Sequence, residues 1–85
     1  MELVIEKKAR SGLGRMQATA REAIVARLRA IAANPLAHHA NVQRMQGVKN
    51  GFRLRQGDWR AVYWLSFETN EMRVTKLDVR GKVYR

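Results

Sequence analysis

The stretch Gly51-Phe52-Arg53-Leu54-Arg55-Gln56-Gly57-Asp58-Trp59-Arg60-Ala61-Val62-Tyr63 decides the fold. It predicts two short strands joined by a Gln56-Gly57-Asp58 turn. Phe52 and Leu54 alternate with Arg53 and Arg55, so the period of two puts both guanidinium groups on one face. Arg60 follows the turn, and the hairpin register decides whether it faces them. Three arginines on one patch suit phosphate, because each planar fork holds two oxygens and keeps its charge. The alternative is a solvated strand face.

Working outward toward the C-terminus, three antiparallel strands are expected: Gly51–Gln56, Asp58–Phe67 and Met72–Arg80, with a second turn at Glu68-Thr69-Asn70. Val62, Tyr63, Trp64, Leu65 and Phe67 form a nearly continuous apolar run, which marks a central strand.

Working outward toward the N-terminus, Leu36 to Val48 has no periodicity and is expected to be a connecting loop. It carries His38 and His39 without the further ligands a metal needs. Thr19-Ala20-Arg21-Glu22 matches a capping box and predicts a helix over Thr19–Ala33. Ile24, Leu28, Ile31 and Ala32 make its core stripe. Asn34-Pro35 stops it, since the residue before proline is pushed out of the helical region. A weaker helix is expected over Ala9–Gln17, where Gly12 and Gly14 oppose it. Leu3-Val4-Ile5 predicts an N-terminal strand. The order implies an α+β fold, an antiparallel sheet with the helices on one face.

The chain has 85 residues, which suits a single domain spanning 1–85 with a small core. With 46% hydrophobic residues it should fold rather than stay disordered. It has no cysteine, which excludes disulfides and thiolate zinc sites. No apolar run approaches the ~20 residues of a membrane span, and Glu2 and Glu6 replace a signal peptide's basic start. A soluble, untargeted, cytoplasmic protein is expected. The net charge of +10 points to a polyanionic partner. That charge divides evenly between the two halves, so spacing rather than bulk charge has to locate the site.

The hairpin, together with the tail Lys76-Leu77-Asp78-Val79-Arg80-Gly81-Lys82-Val83-Tyr84-Arg85, resembles the RelE/ParE superfamily of bacterial toxins. The resemblance runs through nearly the whole chain. It implies the toxin of a type II toxin–antitoxin pair, neutralised by a cognate antitoxin, in a hetero-oligomer that binds operator DNA. RelE-like members cleave mRNA on the ribosome and so inhibit translation; ParE-like members inhibit DNA gyrase. The RelE branch is favoured because its basic positions are filled. Arg60, Arg80 and Tyr84 match catalytic positions, and Arg53 and Arg55 fall where RelE itself carries two lysines. Lys49 and Lys82 are further RNA-binding candidates.

Such an endoribonuclease is implied to need no metal or other cofactor, because the RNA 2′-hydroxyl attacks its own neighbouring phosphate. Two departures bear on the chemistry. Arginine cannot act as a general base where lysine can, which leaves Tyr84, Lys49 or Lys82 for that role. Val79 also stands where the family often has a histidine. Two other classes stay open: a ParE-like gyrase inhibitor without nuclease activity, and a nucleic-acid-binding module whose basic face only holds phosphates.

Overall fold

The structure, a computed structural model, describes residues 1–79. Chain order is β1 (Glu2–Ile5), α1 (Lys7–Gly14), α2 (Ala18–Ala33), β2 (Val42–Arg44), β3 (Gly51–Gln56), β4 (Trp59–Ser66) and β5 (Glu71–Val79). The strands form one sheet in the order β1-β5-β4-β3-β2. Strands β2 to β5 follow one another antiparallel, as short connections dictate. Strand β1 runs parallel to β5, reached through the helical segment, so the sheet is mixed though mostly antiparallel. The α+β architecture expected from the sequence is present.

The β3–β4 hairpin closes through Gly57-Asp58, with Gln56 opposite Trp59. Gly57 has φ +60°, the positive value that the first residue of a type II′ turn requires and that glycine adopts without strain. Strand β3 has the expected bounds. Strand β4 starts and stops one residue inside the expected Asp58–Phe67, and Phe67 lies exposed in the next turn. Arg80, the expected last residue of the final strand, lies outside the described residues.

The core lies between the helices and one face of the sheet. Ile24, Leu28, Ile31 and Ala32 of α2 are buried, with Ala9 of α1 and the following Met16. They belong to one cluster with Leu54, Ala61, Tyr63, Leu65, Met72, Val74 and Leu77 from the sheet. The stripe predicted for α2 is therefore core. The buried Tyr63 ring stacks on Phe52, its cross-strand partner, at 5.3 Å between centroids.

Three expectations need correction. The capping box does not form: α2 begins at Ala18, Gln17 is its N-cap, and no side chain caps it. Thr19 falls inside the first turn, two residues past the cap position, because the apolar stripe fixes the helix in the core and not the cap. The first helix is Lys7–Gly14 rather than Ala9–Gln17. Gly12 is no weakness in it, because α1 crosses β5 so closely there that a Cβ would stand 2.0 Å from the Leu77 carbonyl oxygen. The Leu36–Val48 segment is not all loop, since Val42–Arg44 adds the edge strand β2. Three residues are too few to show a period of two, and tertiary pairing alone makes them a strand.

Candidate functional site

Alternation along β3 and β4 separates two faces. Phe52 and Leu54 meet Tyr63 and Ala61 on the helix side, while Arg53 pairs with Val62 and Arg55 with Arg60 on the other. Neither described helix covers that second face, and Gln43 joins it from β2, opposite Arg53. The backbone N–H of Arg55 donates to the Asn41 carbonyl at 2.9 Å, which extends the β2–β3 contact beyond the strand end. Arg44 sits over the Phe52 ring at 5.5 Å and anchors β2 at its other end.

Arg53, Arg55 and Arg60, with Asn41 and Gln43, line one open hollow of about 330 Å³. The register thus answers the question the hairpin left: Arg60 does face the other two. Direct opposition of Arg55 and Arg60 is unfavourable between strands, and no carboxylate lines the hollow among the described residues. Acids neutralise arginines elsewhere. Arg73 is held by Glu6 at 3.1 Å and Glu71 at 3.0 Å, and those bonds raise its pKa further. Arg15 pairs with Asp78 at 3.3 Å. Three guanidinium groups thus meet in the hollow, an arrangement that suits an anion with several oxygens.

Arg60 is partly preorganised. Its Nη1 donates to the carbonyls of Gly57 and Trp59, each at 3.0 Å, so the hairpin turn orients the guanidinium. Lys49 is not brought to this place; it borders a different hollow with Ser66, Phe67 and Glu68, at the far end of β4. Arg80, Lys82 and Tyr84 lie outside the described residues. Asn41 and Gln43 are lining residues that the sequence does not mark, because the three-residue strand β2 carries no period.

His39 is tied to the end of α2, its Nε2 2.8 Å from the Asn34 carbonyl oxygen. No group of three or more His, Cys, Asp or Glu positioned for a metal occurs among the described residues. None of the described helices is long and apolar enough to cross a membrane.

The sequence matches no family model and no curated protein. Solved structures do match. RelE in the archaeal RelE–RelB complex from Pyrococcus horikoshii superposes with a TM-score of 0.80 at 19% identity, covering 95% of this chain and 96% of that one. The isolated Escherichia coli RelE toxin gives 0.80 at 21% identity, covering 98% and 89%. This chain has the RelE fold. A YoeB/ParE toxin from Agrobacterium tumefaciens is also similar, with a TM-score of 0.77, 20% identity and coverage of 94% and 99%. At such identities the likeness is one of architecture. Within the RelE fold of this chain, the arginine hollow occupies the sheet face that the two helices leave uncovered.

Proposed function

We propose that residues 1–85 form one toxin domain of a type II toxin–antitoxin system, a cytoplasmic endoribonuclease that cleaves mRNA on the ribosome. The observation that carries this reading is the meeting of Arg53, Arg55 and Arg60 in one hollow on the sheet face away from the helices, on the RelE fold. In the reaction, the 2′-oxygen of one nucleotide attacks the adjacent phosphorus and the bond to the 5′-oxygen breaks. The products are a 2′,3′-cyclic phosphate and a 5′-hydroxyl. One proton leaves the 2′-hydroxyl and one reaches the departing 5′-oxygen.

Charge builds on the phosphate oxygens at the transition state, and fixed guanidinium donors stabilise it there. Arg60, oriented by its turn, takes that role with Arg80, while Arg53 and Arg55 hold the RNA backbone in place for in-line attack. None of the arginines can accept the 2′ proton. Lys49 borders another hollow, so the base role falls to Tyr84 or Lys82. Tyr84 also suits stacking on a base.

A cognate antitoxin is expected to bring acidic side chains over the same face. The Pyrococcus and Escherichia coli RelE proteins have been solved with RelB, which supports such a partner here. The second reading is the gyrase inhibition that resemblance to ParE-like members implies.

Single-turnover cleavage of ribosome-bound mRNA tests the proposal. Arg60→Ala and Arg80→Ala should each slow cleavage by about 10²–10³-fold, the usual loss for one preorganised donor. Arg53→Ala should act more mildly, through binding. Near wild-type rates in both of the first two variants overturn the roles given to these arginines. Growth arrest with intact mRNA moves the assignment to gyrase.

A further inference from the structure

We infer that the carboxamides of Gln43 and Asn41 read the base of the nucleotide whose phosphate the arginines hold, with adenine preferred. The inference rests on the nuclease reading and adds to it a residue-level source of sequence preference.

Three observations carry it. The hollow, at about 330 Å³, lies near the lower end of the volumes found for small-ligand sites and accommodates a single nucleotide. Its lining is divided chemically: guanidinium groups come from β3 and β4, and neutral carboxamides from β2 and the residue before it. The division is fixed by the backbone, because Gln43 stands opposite Arg53 in register and the Asn41 carbonyl receives the Arg55 N–H.

A carboxamide can donate to a phosphate oxygen, but its carbonyl acceptor finds no partner on a phosphate. A carboxamide offers a donor and an acceptor side by side, and Asn and Gln characteristically pair at two points with adenine N6 and N7. Single-stranded RNA exposes those base edges. Lys or Arg at position 43 would strengthen a purely electrostatic face or favour guanine; the neutral carboxamide suits adenine.

The test is a position-resolved cleavage profile of ribosome-bound mRNA for the wild-type chain, Gln43→Ala, Gln43→Glu and Asn41→Gly. Glycine is chosen at position 41 because Asn41 has φ +61°, so the side chain is removed without straining the backbone. The wild-type profile should show adenine enriched at one fixed position relative to the scissile phosphate. In Gln43→Ala, cleavage at those sites should fall about tenfold relative to the other sites, the discrimination typical of one paired base contact. Asn41→Gly should weaken the same preference. Gln43→Glu replaces the donor by a second acceptor, so the preference should move toward cytosine, whose amino group donates.

Both residues are exposed and at a sheet edge, and a thermal melt checks that each variant remains folded. A base profile unchanged in Gln43→Ala overturns the inference while leaving the nuclease reading in place. Failure of the wild-type chain to cleave any message overturns the nuclease reading and this inference with it.

Discussion

Gly12 shows how one hydrogen atom in place of a methyl group decides a packing distance. Alanine there would favour the helix by about 1 kcal/mol, but its Cβ would stand 2.0 Å from a backbone oxygen of β5. Backbone cannot yield as a side-chain end does, and overpacking costs about 1–3 kcal/mol or more. The clash wins, and Gly12→Ala should lower the urea midpoint; a raised midpoint would mean that α1 shifts freely. Tyr63 offers a pH test at the same scale. Burial pushes its phenol up from 10.0 to about 12, opposed in part by the nearby Arg27 cation. The folded state thus prefers the neutral phenol. Its contribution is complete below pH ~10, where both states are protonated, and is lost as pH rises through about 12. Stability should fall by about 1.4 kcal/mol per pH unit within that window from this group. Denaturation of wild type and Tyr63→Phe from pH 9 to 12 checks it, and parallel curves would refute the shift.

At the scale of the element, α2 separates two signals that the sequence places side by side. Leu28 is fully buried, and Leu28→Ala should cost about 2–5 kcal/mol, a large share of a small domain's stability. Thr19 makes no cap bond, so Thr19→Ala should change stability by less than about 0.5 kcal/mol, against about 1 kcal/mol for a working cap. Chemical denaturation of the two variants settles both points; a loss near 1 kcal/mol at Thr19 would restore the capping box. The same contrast explains what could be read in advance. A stripe repeated over about two and a half turns is redundant and survives local competition, whereas a cap depends on where the helix starts to within one residue. Strand β2 lies beyond either signal, because three residues carry no period and its existence depends on β3 being beside it.

The whole molecule carries +10, and among the described residues Arg15 and Arg73 pair with carboxylates away from the hairpin hollow. If the hollow's three arginines hold RNA phosphates, affinity for a non-cleavable single-stranded oligonucleotide should fall with salt at a log–log slope of about −2, or about −0.7 per phosphate contact. Arg55→Ala should reduce the slope by about one such unit. A slope near zero in a filter-binding or anisotropy titration would show that phosphates are not what this face holds.

The sequence by itself determined the α2 core stripe, the β3–β4 hairpin and the placement of Arg53 and Arg55 on one face. These follow from periods of 3.6 and 2.0, which local geometry imposes whatever the surroundings. It also marked Arg60 as a candidate without being able to orient it. Only the tertiary structure decided that Arg60 faces Arg55, that Lys49 belongs elsewhere, that Asn41 and Gln43 wall the hollow, and that β1 joins the sheet parallel to β5. Each of these depends on pairing between segments far apart in the chain, or on a register set by a turn. The energy that selects such pairings comes from the assembled core, so no local pattern records it.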